Sequence, residues 1–321
     1  MRICVLGVGA MGSVYTGLLA AAGHDVSAVD TDSEHIEAIR ANGLRVEGVS
    51  GDRIVHVTAT TDPRDVGSIE LVVIATKAMH VRDAARSAGP MIGAETTVLT
   101  IQNGLGAADE AAAIVGDERL MVGVAGGFGA SIVEPGHVHH HGMELLRLGE
   151  RRGPVKERTE RVAEAWQRAG FRVKTFDDMD ELIWEKLICN VCFSGVCGVL
   201  ELTVGEVLDN ADAWSIASRC AQEALDVANG SGISLDIDDC ERYVHDFGRA
   251  ILGARPSLLL DLLAGRPCEI EWINGAVVRE GRAAGIAAPT NELITSLVLA
   301  KEAAARARRL GDRRSSQTRT P

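Results

Sequence analysis

The first thirty residues constrain this chain more than any other stretch. Ile3–Leu6 reads as a short buried strand, and Gly7-Val8-Gly9-Ala10-Met11-Gly12 follows it as a GxGxxG turn. The apolar run from Ser13 to Ala22 reads as a helix, and Val26–Val29 as a second strand closed by Asp30. Each glycine answers a physical need, namely a tight turn, close approach of backbone to a pyrophosphate, and close packing of helix on strand. The helix N-terminus adds free N–H groups and the positive end of a dipole. A bare GxGxxG is weak. Strand, turn, helix, strand and terminal acid in sequence make the dinucleotide fingerprint. The alternative is a glycine-rich turn with no ligand.

Up to about residue 177 apolar runs alternate with helical stretches, which predicts a mostly parallel, doubly wound α/β sheet of Rossmann type. Strands are expected at 2–6, 25–30, 54–59, 70–75, 96–101 and 120–124. Leu71-Val-Val-Ile-Ala75 has almost no polar interruption and is expected to be buried on both faces. Val138–Leu148 reads as a hairpin turning near Gly142, followed by a helix near 157–169 and a strand at 171–175.

From residue 178 the period becomes helical. Trp184, Leu187, Val191 and Ser194 can share one stripe, and Ala213–Asn229 carries Trp214, Ala217, Ala221, Ala224, Leu225 and Ala228 at 3.6-residue spacing, with Gly230 as its stop. Further helices are expected at 236–252, 256–264, 269–284 and 290–309. The domains expected are thus a dinucleotide-binding 1–177, an all-helical substrate domain 178–310 and a polar, disordered tail 311–321.

Composition narrows the function. A net charge of −12 over 321 residues argues against a nucleic-acid surface and against anionic membranes. No apolar run is read as approaching the ~20 residues of a membrane span, so the cytoplasm is the expected compartment. The cysteines number seven, with no framework spacing, and Cys189/Cys192 form a CxxC without a partner pair, so core packing is favoured over metal or redox chemistry. His137, His139, His140 and His141 crowd one segment, but three consecutive residues cannot share a strand face, and no metal is expected.

A dinucleotide fold before a helical domain suggests hydride transfer in a cleft between domains, where the protein must hold an acceptor and supply a proton. Lys77 follows the fourth strand, where open α/β sheets bind ligands, or is a solvated loop lysine. Asn103, in Gln102-Asn103-Gly104 after the fifth strand, offers both a donor and an acceptor, or marks a turn. If 184–194 is helical, Lys186, Asn190 and Ser194 lie on one face. Apolar Ile183, Leu187 and Ile188 would partly bury the lysine, which suits a general acid near neutral pH; a surface lysine on an amphipathic helix is the alternative. Glu269, after Pro267, reads as opening a helix, as a cap or a functional acid. Ser257, after Pro256, is equally a helix-opening residue or a substrate-facing hydroxyl.

Together these stretches resemble the ketopantoate reductase (2-dehydropantoate 2-reductase) family. The matching text is Gly7–Gly12, Thr76-Lys77-Ala78, Gln102-Asn-Gly104, Trp184-Glu-Lys-Leu-Ile-Cys-Asn190, Pro256-Ser257, Glu269-Ile-Glu-Trp-Ile-Asn-Gly275 and Gly285-Ile-Ala-Ala-Pro289. The resemblance implies reduction of a 2-keto acid to a 2-hydroxy acid with a nicotinamide cofactor. It makes Lys186 the general acid and places Asn103, Asn190 and Ser257 on the substrate; Ser194, on the same helix face, is taken as a further substrate residue, and Asn103 also as a cofactor contact. It puts Glu269 at the nicotinamide and substrate end, and Lys77 and Ala130 on the cofactor side.

Three departures bear on specificity. Typical members carry an arginine after the second strand for the NADPH 2′-phosphate; this chain has Val29-Asp30-Thr31-Asp32. A carboxylate there accepts hydrogen bonds from a ribose 2′-hydroxyl and repels a phosphate, so NAD(H) is favoured over NADP(H). Ser194 and Ala254 stand where many relatives have Asn, which brings in a second candidate, an NAD-dependent D-2-hydroxyacid dehydrogenase of D-mandelate type. A third is a dinucleotide-binding sensor without turnover. The expected partner is a small 2-keto acid; a homodimer is left open.

Overall fold

In the computed structural model, residues 1–127, 129–142 and 144–317 are described, with side chains through residue 307. The chain divides into two units, Met1–Gln102 with Gly106–Met179, and Asn103–Leu105 with Asp180–Pro321.

The first unit begins β1 (Arg2–Leu6), α1 (Ala10–Ala21), β2 (Asp25–Val29), α2 (Ser33–Asn42). It continues β3 (Leu44–Gly48), β4 (Arg53–Val55), β5 (Thr58–Thr60), β6 (Ile69–Ile74), α3 (Val81–Ser87), β7 (Ile92–Thr100) and α4 (Ala107–Val115). It closes with β8 (Leu120–Gly126), β9 (Gly129–Glu134), β10 (His137–Gly142), β11 (Leu145–Glu150), α5 (Glu157–Arg168) and β12 (Val173–Thr175). The main sheet has the order β12-β11-β8-β7-β6-β1-β2-β5. From β5 to β8 all pairs are parallel; β11 joins antiparallel to β8, and β12 parallel to β11. This is the doubly wound sheet expected from the alternating pattern. The strand order reverses at β1, flanked by β2 and β6, the switch point where such sheets bind ligands. Leu71, Val72, Val73 and Ile74 are fully buried, as their unbroken apolar run requires.

A second sheet, order β4-β3-β10-β9, was not foreseen. It corrects two expectations. The strand at 54–59 is two strands serving different sheets: β4 pairs with β3, while β5 pairs with β2. The 138–148 hairpin does not exist either. β10 pairs with β9 through the Pro135-Gly136 turn, and β11 returns to the main sheet beside β8. Helix α1 packs against β1 and β2 and also against β3, β9 and β10 of the second sheet. Local alternation shows that a strand exists; the intervening helix decides which sheet it joins. Tyr15, Trp166 and Phe171 close the core near α1 and α5, with ring centroids 4.8–6.0 Å apart.

Among its described residues the second unit is entirely helical. It comprises α6 (Asp180–Leu200), α7 (Val204–Asp209), α8 (Ala211–Gly230), α9 (Cys240–Ala250), α10 (Ser257–Leu263), α11 (Asn274–Ala284) and α12 (Pro289–Gln317). Helix α6 is its core: Trp184, Leu187, Val191 and Ser194 are all buried. It packs on α8, whose alanine stripe at 213, 217, 221, 224 and 228 is buried and allows close approach. By length and composition α6 could cross a membrane, which corrects the expectation that no run reaches that length, but 67% of its apolar window is buried inside the unit. Gly230 is the last helical residue rather than a stop beyond the helix; a Cβ there would overlap Ile286. Helix α12 continues to Gln317, into the stretch expected as a polar tail, and residues 318–321 lie outside the described residues.

Candidate active site

In the first unit the glycine turn follows β1 directly. Gly7 donates its N–H to the Val29 carbonyl at 2.8 Å and has φ +90°, a conformation that other residues adopt at a cost. A Cβ on Gly7 would lie 2.6 Å from the Thr76 nitrogen, and one on Gly12 would overlap the Gly7 carbonyl oxygen. The fold itself therefore requires both. Gly9 differs: it is exposed, and a Cβ there would meet nothing within 4 Å. It is also the N-cap of α1 and supplies no side-chain cap, so the first N–H groups of a 12-residue helix stay available. The space bare of side chain at Gly9 and the uncapped helix fit a pyrophosphate.

At the end of β2, Asp30 is half-buried and its carboxylate accepts from the Asp32 N–H at 2.9 Å; Asp32 in turn caps α2 by accepting from His35 N–H at 3.2 Å. Lys77, half-buried, flanks a short 3-10 turn after β6. The amide of Gln102 donates to the Ile74 and Thr76 carbonyls at 2.6 and 3.0 Å, tying the end of β7 to that of β6 beside Lys77. Ala130 lies on β9, paired with His140 in the second sheet.

In the second unit Lys186, Asn190 and Ser194 occupy successive turns of α6 on one side. Lys186 and Asn190 are half-buried and Ser194 is 6% exposed, so the row runs inward from the protein surface. Asn103 belongs to this unit. The Leu105 N–H donates to the Trp272 carbonyl at 2.8 Å, and Gly104, at φ +83°, leaves no room for a Cβ against that same carbonyl. Asn103 therefore sits on a segment adjoining the one that carries Glu269. Glu269 does not open a helix, as expected, but precedes the 3-10 turn Ile270–Trp272; α11 starts only at Asn274. Its carbonyl accepts from the N–H groups of Trp272 and Ile273, at 3.0 and 3.1 Å. Ser257 is exposed and opens α10 without capping it by its side chain.

Some supports of the site escaped the sequence reading. Asn274 is fully buried and its amide donates to the Val191 carbonyl at 3.1 Å and to Asn291 at 2.9 Å, bracing α6 one residue past Asn190. Its motif was visible, but a role required the partner elements. Ser13 and His35, beneath the glycine turn, also went unread. Burial chiefly holds the His35 imidazole below its ordinary range, against the opposing pull of Asp30 and Asp32.

The cysteines and histidines take other parts. All seven thiols are free and buried, and burial pushes Cys189 and Cys197 up to about 12, so the CxxC segment is core rather than nucleophile. His140 is buried against Ser50 at 3.0 Å, whereas His137 and His139 face Glu47 at 3.3 and 3.4 Å. Among the described residues no group of three or more His, Cys, Asp or Glu could hold a metal ion.

A switch-point glycine turn built for a pyrophosphate, joined in sequence to an all-helical unit with an inward row of lysine, amide and hydroxyl, is the design of a dinucleotide-dependent oxidoreductase. Comparison with known proteins sharpens this. The model for ketopantoate reductase PanE/ApbA matches residues 3–153 and that for its C terminal matches residues 178–302; the chain belongs to the ketopantoate reductase PanE/ApbA family. The 2-dehydropantoate 2-reductase of Pyrococcus horikoshii is 32% identical over 302 residues, covering 94% of this chain and 98% of that protein. The crystal structure of 2-dehydropantoate 2-reductase from Geobacter metallireducens GS-15 is similar at TM-score 0.87 and 32% identity, over 93% of this chain and 99% of that one. A ternary structure of D-mandelate dehydrogenase with NADH and anilino(oxo)acetate is similar at TM-score 0.87 and 25% identity, over 95% and 99%.

Proposed function

We propose that this oxidoreductase reduces 2-dehydropantoate, or a closely related 2-keto acid, to the 2-hydroxy acid, with NAD(H) preferred and Lys186 as the proton donor. The observation that carries the reading is the row Lys186, Asn190, Ser194 on α6, with the ammonium at its surface end and apolar Leu187 and Ile188 buried beside it.

A nicotinamide dinucleotide, when bound, would supply the hydride for the keto carbon. The chain's own residues do the rest. Gly9 and the α1 N-terminus would hold the pyrophosphate, Lys77 and Ala130 would flank the cofactor, and Asp30 would accept from ribose hydroxyls. Asn103, Asn190, Ser194 and Ser257 fix the keto acid by hydrogen bonds. Lys186 Nζ gives its proton to the former carbonyl oxygen as the alkoxide forms. Glu269, as the family resemblance implies, would serve the nicotinamide and substrate end. Replacing Lys186 with Ala is expected to lower kcat by the ~10²–10⁴ typical of an acid–base residue while NADH binding stays near normal. A Lys186→Ala enzyme with near wild-type turnover removes the assignment.

The second reading, an NAD-dependent D-2-hydroxyacid dehydrogenase, is favoured by Ser194 and Ala254, which present less polar surface to a substrate hydroxyl than an amide would. The D-mandelate dehydrogenase likeness supports it too. Rates of NADH oxidation with 2-dehydropantoate beside bulkier apolar 2-keto acids distinguish the two.

A further inference from the structure

We propose that His35 is a positioning residue for the dinucleotide, joining the acidic end of the site to the glycine turn through Ser13, a role that rests on the dinucleotide reading above. The connection is continuous. The Asp30 carboxylate accepts from Asp32 N–H at 2.9 Å, and the Asp32 carboxylate accepts from His35 N–H at 3.2 Å. The His35 ring reaches the Ser13 hydroxyl, Nε2 to Oγ 3.1 Å, and that hydroxyl donates to the Val8 carbonyl at 2.9 Å. Val8 lies between Gly7 and Gly9, where the backbone must meet the pyrophosphate.

The hydrogen bonds fix the tautomer. Gly136 N–H donates to His35 Nδ1 at 3.1 Å, so Nδ1 carries no proton. Ser13 spends its own proton on Val8, so Nε2–H must donate to Ser13. Both ring nitrogens are committed, on a ring 2% exposed beside a serine that is fully buried. Losing the Nε2–H leaves the Ser13 oxygen short of a donor and frees its hydroxyl to rotate away from Val8. The turn then samples conformations that the pyrophosphate does not fit. Losing the Nδ1 acceptor instead strands Gly136 N–H, in the turn between β9 and β10 of the second sheet.

The two nitrogens therefore separate binding from stability. In His35→Gln the amide nitrogen can take the place of Nε2, keeping the Ser13 bond and losing the Gly136 bond. In His35→Asn the amide oxygen can take the place of Nδ1, with the opposite result. On the full-length protein, NADH fluorescence titration is expected to show Kd raised about tenfold in His35→Asn and in Ser13→Ala, the worth of one to two buried hydrogen bonds. His35→Gln is expected to stay within about threefold of wild type while losing at least as much Tm as His35→Asn. The Ser13→Ala/His35→Asn double variant is expected to bind no worse than the weaker single one, because the two act as one unit. In steady state the KM for NADH rises more than kcat falls. A His35→Asn protein with wild-type Kd, or Kd values that follow Tm across the set, overturns the role. Wild-type protein that binds neither NADH nor NADPH overturns the dinucleotide reading and the role with it, whereas wild-type binding with unchanged variants overturns the role alone.

Discussion

Alanine substitution at the three glycines of the turn separates what the fold needs from what the ligand needs. At Gly12 a methyl would overlap the Gly7 carbonyl oxygen; at Gly7 it would press on the Thr76 nitrogen in a backbone held at φ +90°. Overpacking of this kind costs about 1–3 kcal/mol, and a left-handed φ adds roughly 1–2 kcal/mol at Gly7. In a unit of this size that lowers Tm by on the order of 5 °C or more. At Gly9 the methyl meets nothing, and φ −68°, ψ −161° is open to any residue. The loss of backbone freedom in the unfolded chain favours Ala by about 0.4–1 kcal/mol, and the poorer N-cap opposes it by a similar amount. Gly9→Ala is therefore expected to melt within a degree or two of wild type. Its methyl enters the space proposed above for the pyrophosphate, so on that reading the same 1–3 kcal/mol of overpacking falls on the complex, about 5- to 150-fold in Kd. Differential scanning calorimetry and NADH titration on Gly7→Ala, Gly9→Ala and Gly12→Ala test this. A Gly9→Ala protein that binds NADH as wild type does, or that melts as early as Gly12→Ala, refutes the reasoning.

Other expectations rest on charges. Replacing Asp30 with Ala should narrow any preference for NADH over NADPH, read as the ratio of kcat/KM for the two; a ratio unchanged from wild type removes Asp30 from ribose recognition. Burial tends to raise the Glu150 carboxyl, but hydrogen bonds from Arg158 and Thr159 and the charges of Arg158 and Lys156 outweigh it, so its pKa lies below the ordinary range. A carboxyl depressed in the folded state stabilises above its unfolded pKa and loses that contribution as pH falls through the folded one. Glu150→Gln should thus lower Tm near neutral pH and flatten the fall in Tm below about pH 4.5, and equal acid sensitivity in both proteins would contradict it. Glu223 accepts from the N–H groups of Thr290 and Asn291 at 2.8 and 3.0 Å, and from the Asn291 amide at 2.8 Å, capping α12 from α8. Glu223→Ala should cost about 1–3 kcal/mol, measured by urea unfolding, and an unchanged midpoint would show that water replaces the cap.

What the sequence disclosed of the fold depended on how local each signal was. The parallel sheet and the helical half were legible because Leu71–Ile74 carries its burial in its composition and Ala213–Ala228 in its period. The second sheet was not. Its central pair, β3 beside β10, joins residues about ninety positions apart, and nothing within either strand names the other. Gly230 misled for a related reason. A glycine at a helix end is read as a stop, but its bare face is claimed by Ile286, a neighbour only after α11 has folded back.

The site divides along the same line. Residues that would touch cofactor or substrate stand in short motifs, because a turn or one helix face can present them without help from afar: Gly7–Gly12, and Lys186 with Asn190 and Ser194. The residues that hold those motifs rigid are scattered. Gly136 meets His35 across 101 positions, and Asn274 meets Val191 across 83. A buried polar side chain needs partners wherever the fold can supply them, so its spacing from the motif it supports follows no rule in sequence. The identity of such a residue is informative all the same. A histidine at 35, among the buried positions His35, Ile36 and Ile39 of an otherwise ordinary helix, costs desolvation that only two good hydrogen bonds offset. One of those bonds runs to Ser13, directly beneath the glycine turn, and that is why the test of His35 is set on dinucleotide affinity rather than on folding alone.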